Sequence, residues 1–198
     1  MPRQLDAEGR AATADEQQVL AAWSGWGAVP QVFDDDHAGT AELREELRSL
    51  LDDDGWDAAR PTVLNAHYTD PAGVVPTWEV VARLGFTGGR VLEPGCGSGN
   101  FLAYAPPGAA LVGVERDPTT AAIARALYPD AEIHTGPFER FAPADPFDLV
   151  VENVPFAKIT PLDPRHDRGR HATGGSDISR ACEWSAISGA SPIWPGGR

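Results

Sequence analysis

Four consecutive residues, Asn153, Val154, Pro155 and Phe156, carry the sharpest chemical signal in the chain. An exocyclic amine on a planar base is a poor nucleophile, because its lone pair is delocalised into the ring. The Asn153 side-chain oxygen and the Val154 carbonyl can accept its two hydrogens and return that lone pair to nitrogen. Phe156 then offers a stacking face, and Pro155 stiffens the loop. Taken alone, a Pro-bearing loop after a strand reads equally well as a plain connection, so its weight comes from residues upstream.

Those residues begin with Glu93, Gly95, Cys96, Gly97, Ser98 and Gly99. Glycines at alternate positions let a turn pass close to a ligand, and the next helix presents free backbone N–H groups. No Lys-Ser/Thr pair follows, which excludes a Walker P-loop, and G-x-G-x-G after Glu-Pro departs from the dinucleotide spacing G-x-G-x-x-G. Glu93 would sit badly beside a pyrophosphate but well beside a methionine ammonium, directly or through water. Sixteen residues beyond Gly99, Glu115 can accept both hydroxyls of a ribose, or else be a solvated strand end. Phe138 can flank an adenine whose amino group Glu139 receives, or both residues simply pack. Together they point to S-adenosylmethionine. Its sulfonium already activates the methyl group, so alignment suffices and neither a metal nor a covalent nucleophile is required. Methylation at cytosine C5 would need a thiol, yet Cys96 lies in the glycine turn and Cys182 in the tail. Two cysteines are also too few for a disulfide scaffold or a structural zinc site.

The elements that must position these residues follow from periodicity. From Arg90 strand and helix alternate: RVLEPGCGSGNF is a strand, a turn and a helix start, and AALVGVERD is a second strand. Asp117 and Pro118 open a helix through Tyr128, AEIHT is a third strand, and FDLVVENVPF a fourth ending in a loop. This is a doubly wound α/β arrangement with its ligand edge at the strand C-terminal ends. Upstream, Thr13 and Glu16 have capping-box spacing before Val19, Leu20 and Trp23, and Gly25, Gly27 and Pro30 then break the helix. A second helix is expected over 41–51, capped by Thr40, with Leu43, Leu47, Leu50 and Leu51 on one stripe and DDDG ending it. A third opens early at Asp70-Pro71 or spans only Thr77 to Leu84, with Gly85 as its stop. Trp23, Trp26 and Trp56 read as packing residues.

Bulk properties set limits on partners. At 198 residues the chain suits one domain with an accessory segment, and no run approaches the roughly 18 apolar residues of a membrane span, so a cytoplasmic location is expected. A net charge of -13 argues against strong autonomous nucleic-acid binding. The acids cluster at 34–36 and 52–54, whereas Lys158, Arg165, Arg168 and Arg170, with His166 and His171, follow the Asn153 loop as a possible basic rim.

LEPGCGSGNF followed by NVPF resembles the amino-methyltransferases of nucleic acids, whose loop is usually D/N-P-P-Y/F. The order, cofactor turn before catalytic loop, resembles that of the gamma-type N6-adenine DNA methyltransferases. The runs WSGWGAVPQVF, NAHYTDP and ERDPTTAAIARALYPDAEI are similar to the front of large helicase-methyltransferase proteins of mobile elements. The resemblance covers about 11–170. It implies that Tyr68 and Thr69 close over the methionine moiety, that Gly95, Gly97 and Gly99 form the cofactor turn, that Glu115 binds ribose, and that Asn153 to Phe156 form the catalytic loop. Val154 replaces the usual first proline, which loses rigidity but keeps the carbonyl.

The expected fold is a Rossmann-like, S-adenosylmethionine-dependent methyltransferase fold with incomplete C-terminal strands. The expected layout is an N-terminal helical accessory segment over 1–60, a cofactor-binding core over 61–160 and a divergent, irregular tail over 161–198. The expected function is methyl transfer to the N6 amine of adenine in DNA. Alternatives are transfer to cytosine N4, an RNA adenine or a protein glutamine, or an inactive or partner-dependent fragment. After Phe156 only 42 residues remain, without strand alternation. The expectation is therefore a truncated gene product, one piece of a split enzyme completed by a methyltransferase or helicase polypeptide, or a compact cofactor-binding protein.

Overall fold

A computed structural model of the chain describes residues 2–64 and 68–153. Val154, Pro155 and Phe156, the basic rim and the tail lie outside the described residues. Four parallel strands form one sheet: β1 (Gly89–Pro94), β2 (Ala109–Glu115), β3 (Glu132–Thr135) and β4 (Leu149–Val150), in the order β3-β2-β1-β4. That order places the ends of β1 and β4 side by side, with the crossover reversing there, where open α/β sheets bind ligands.

Adjacent residues of β1 face opposite sides, as strand geometry requires. Val91 joins Val74, Trp78, Phe101 and Val151 beneath helix α5 (Pro71–Arg83), while Leu92 joins Val112, Val114 and Phe147 on the other face. Helix α5 takes the earlier of its two expected starts. The Asp70 carboxylate accepts the Ala72 N–H at 2.7 Å, Pro71 occupies the first turn, and Pro76 is accommodated inside the helix. Gly85, at φ +100°, follows its end in the left-handed conformation that stops helices.

The first 60 residues build helices α1 (Pro2–Glu8), α2 (Ala14–Ala21), α3 (Ala41–Leu50) and α4 (Asp53–Ala59). Helix α1 was not anticipated, because a single buried leucine, Leu5, is its apolar anchor. The Thr13–Glu16 capping box forms as expected. Three expectations fail locally. Val19 is exposed, leaving Leu20 and Trp23 as the inward face of α2. Leu43 and Leu50 are exposed too, because only Leu47 and Leu51 reach the cluster of Trp26, Phe33 and Trp56. Helix α3 ends at Leu50, just before DDDG, as expected, and the acids there open a further helix: Asp52 accepts the Gly55 N–H at 2.8 Å and caps α4. Thr40 precedes α3 without capping it, since its hydroxyl donates instead to the Gln31 carbonyl at 2.8 Å.

Helix α6 (Asn100–Ala103) follows the glycine turn, and helix α7 (Pro118–Leu127) follows β2. Helix α7 is buried along most of its length, with the sheet on one side and α1 and α2 on the other. Its small residues, Thr119 to Ala122 and Ala124, make that sandwich possible by letting neighbours approach closely. Among the described residues no helix is long and apolar enough to cross a membrane.

Candidate cofactor and amine site

The turn after β1 is shaped by three left-handed glycines, Gly95, Gly97 and Gly99, at φ +65°, +56° and +94°. Side chains at these positions would be strained, which is the physical reason for glycine at alternate sites. Gly97 needs its bareness doubly, because a Cβ there would lie 3.1 Å from the Tyr68 ring. Gly99 differs from the other two: it is the N-cap of α6, it packs under the Tyr128 ring, and it does not line the cavity. Cys96 is buried, its Sγ lodged over the bare Gly113, and burial pushes its thiol well up. A thiol so placed is a packing group rather than a nucleophile.

A cavity of about 400 Å³ opens at the strand ends, a size within the usual range for small-molecule sites. It gathers Tyr68, Thr69, Glu93, Gly95, Gly97, Glu115, Phe138, Glu139 and Asn153, all singled out from sequence. On the β2 side, Glu115 Oε2 accepts the Gly97 N–H at 2.9 Å and Oε1 accepts the Asp117 N–H at 2.7 Å. Each oxygen keeps further acceptor capacity. Burial raises the Glu115 carboxyl above its ordinary range, opposed by those backbone donors. Asp117 is 1% exposed. Its Oδ2 accepts the Trp26 indole N–H at 3.1 Å, the Thr120 N–H at 2.9 Å and the Thr120 hydroxyl at 2.6 Å, and Oδ1 is buried without a partner among the described residues.

On the β1–β4 side the bonding is sparser. Glu93 is 5% exposed and its Oε2 has no partner among the described residues. Burial first, then the charges of Glu152 and Glu115, pushes its carboxyl well up. Glu152 is solvent-accessible, yet the protein packed around it still pushes its carboxyl up to about 7. Asn153 Nδ2 donates to the Thr69 hydroxyl at 3.1 Å, and Asn100 Nδ2 donates to the Thr69 carbonyl at 2.9 Å. Thr69 thus ties the start of α6 to the end of β4.

Tyr68 connects the cavity to the N-terminal helices. The Trp23 indole N–H is shared between the Tyr68 and Thr120 hydroxyls, at 3.1 Å each. Burial pushes the Tyr68 phenol up to about 12. A Cβ on Gly25 would collide with its ring, so the WSGWG run needs a glycine where Tyr68 passes. Sequence reasoning saw only packing residues in Trp23 and Trp26, although Trp26 lines the cavity. It saw only a helix start in Asp117. Glu152 was missed altogether, although a carboxylate interrupting an apolar strand just before Asn153 was a usable signal. Phe138 lines the cavity and also packs on the Leu92 cluster, stacking with Phe141 at 6.3 Å, as its expected packing role requires.

These residues fit S-adenosylmethionine. The orphaned buried oxygen of Glu93 suits a cationic donor, the glycine cradle leaves room for close approach, and Glu115 can still accept hydroxyls. Residues 92–162 match a family model described as a methyltransferase domain. The chain is 31% identical over 119 residues to Defense against restriction protein B of Escherichia phage P1, an alignment covering 59% of this chain and 5% of that protein. The chain thus corresponds to a small part of that relative's length. Among solved structures, it is similar to an S-adenosylmethionine-bound amino pentose methyltransferase from Micromonospora echinaspora, with 23% identity, coverage of 43% and 37%, and a TM-score of 0.38. It is also similar to a TehB-like methyltransferase from Corynebacterium glutamicum, with 19% identity, coverage of 59% and 55%, and a TM-score of 0.34. Strand order, glycine turn and matched segment together make this a Rossmann-like methyltransferase fold that carries a generic S-adenosylmethionine-dependent methyltransferase domain, with S-adenosylmethionine as its cofactor.

Proposed function

We propose that the chain carries an N6-adenine DNA methyltransferase domain. The observation that carries this reading is Asn153, which lines the cofactor cavity at the end of β4 with its amide nitrogen engaged by Thr69. Its amide oxygen is thereby left as the acceptor for an incoming amine. The Val154 carbonyl is assigned the second amine hydrogen and Phe156 the stacking face, on sequence grounds, since both lie outside the described residues. When bound, the cofactor supplies a methyl group activated by its sulfonium. The protein's part is then positioning: Tyr68 and Thr69 wall the methionine side, Glu115 takes the ribose, Phe138 and Glu139 face the adenine, and Asn153 orients the target amine.

DNA is the proposed substrate and partner. The phage relative supports this in that its name concerns restriction, a process directed at DNA. With a net charge of -13, the chain should bind DNA weakly by itself, and a helicase or complementary methyltransferase polypeptide is the proposed source of further contacts.

Incubation with unmethylated DNA and isotopically labelled cofactor tests the reading. Label should appear at adenine N6, and Asn153→Ala should lower transfer by roughly 10²–10³-fold while cofactor affinity changes little. Undiminished transfer by that variant would refute the role of Asn153. Label at cytosine N4, in RNA or on a glutamine side chain would refute the choice of substrate.

A further inference from the structure

We propose that Glu152 is a second carboxylate of the methionine-ammonium subsite, joining Glu93 at the C-terminal end of the β1–β4 pair. This rests on the reading of the cavity as an S-adenosylmethionine site and adds a residue to it. The pairing of Val91 with Leu149 and Leu92 with Val150, continued by the Val151 N–H bond to the Leu92 carbonyl at 2.9 Å, carries Glu93 and Glu152 to the same end of neighbouring strands. Both line the cavity. Among the described residues, the buried Glu93 Oε2 has no hydrogen-bond partner, an observation independent of the strand pairing.

Charge makes the same case. Among the described residues, the cavity is lined by five carboxylates, Glu93, Glu115, Asp117, Glu139 and Glu152, against one guanidinium, Arg116. Glu115 and Asp117 accept N–H donors from the protein. Burial, then the charge of Glu152, raises the Glu93 carboxyl against a single opposing backbone donor, Phe101, while the protein packed around Glu152 is what raises Glu152. An ammonium group carries three donors and one positive charge, so it can serve two carboxylates at once and relieve their repulsion. Its arrival favours the ionised form of both, so cofactor binding near neutral pH expels protons. The other titratable or charged groups lining the cavity are Tyr68, Cys96 from the glycine turn, Glu115, Arg116 and Asp117 from the end of β2, and Glu139 from the turn after β3.

The test is calorimetric titration of the full chain at pH 7.5 with two ligands. One is S-adenosylmethionine; the other is 5′-methylthioadenosine, which keeps the nucleoside and sulfur but has no ammonium. Glu152→Gln should weaken the first about tenfold and the second by less than about twofold, with Glu152→Asp in between. Repeating the titration in buffers of different ionisation enthalpy should show fewer protons released by Glu152→Gln than by the parent. Unchanged affinity for S-adenosylmethionine, or equal weakening of both ligands, would overturn the proposal. So would intact affinity with lost turnover, which would place Glu152 at the target amine. Failure of the parent chain to bind S-adenosylmethionine would instead overturn the cofactor reading beneath it, which keeps the two failures distinguishable.

Discussion

The two sides of the cavity are built from the same residue types and bonded to different degrees, although each holds one buried carboxylate oxygen, Asp117 Oδ1 and Glu93 Oε2, without a partner among the described residues. At the end of β2, Glu115 and Asp117 are tied to backbone amides, to the Thr120 hydroxyl and to the Trp26 indole. At the ends of β1 and β4, Glu93 has a buried oxygen with no partner and Glu152 has its carboxyl raised to about 7. Carboxylates satisfied by the protein act as framework: they hold the glycine turn, α7 and the N-terminal helices in one arrangement before any ligand arrives. Carboxylates left short of donors cost stability and are retained where a ligand completes them. On the proposed reading of the site, the contrast divides a pre-organised nucleoside side from a less fully bonded side suited to a cation.

Substitution of Asp117 should break the framework most severely. Asp117→Ala removes the cap of α7 and leaves the buried Trp26 indole N–H unpaired, with an expected loss of about 2–4 kcal/mol in denaturant unfolding. A loss below about 1 kcal/mol would mean that the β2 side is not the framework described. Trp23→Phe removes the single donor shared by Tyr68 and Thr120. It should cost about 1 kcal/mol and weaken cofactor binding, which binding isotherms can measure.

The smallest effect is expected on the other side, and there its sign matters more than its size. The folded-state carboxyls of Glu93 and Glu152 are raised from an ordinary value of 4.5. The folded protein therefore holds protons that the unfolded chain has released. Their contribution to stability is fully present below about pH 4.5 and is lost as pH rises through the folded values, for Glu152 through about 7. Glu93→Gln should then lie within about 0.5 kcal/mol of the parent at pH 5 and be the more stable protein at pH 8, both without cofactor. Thermal melts at the two pH values check this, and a variant less stable than the parent at pH 8 would contradict an under-bonded Glu93.

Much of this cavity was legible in the sequence because its parts are local. Strand, glycine turn and helix succeed one another within a few residues, and the left-handed positions of Gly95 and Gly97 demand glycine whatever surrounds them. The capping acids Asp70 and Asp117 likewise announce their helices by spacing. The N-terminal layer was less legible, since the burial of Leu47 and the exposure of Leu43 and Leu50 depend on which turn of α3 meets a distant aromatic cluster. Trp23 and Trp26 looked like packing residues for the same reason: their indole partners, Tyr68, Thr120 and Asp117, lie far along the chain.

By itself, the sequence determined the alternation of strand and helix, the glycine turn and the residue types offered to a sulfonium cofactor and a planar amine. These follow from backbone sterics and side-chain chemistry, which act over a few residues. Tertiary structure alone decided which carboxylates are satisfied, because Glu93, Glu115, Asp117 and Glu152 differ in the donors that the parallel pairing of β1 with β2 and β4 brings within reach. It also decided that Trp26 lines the cofactor cavity and that Trp23 bonds to two residues of its wall, Tyr68 and Thr120, since a hydrogen bond between distant residues exists only once the chain has folded around it.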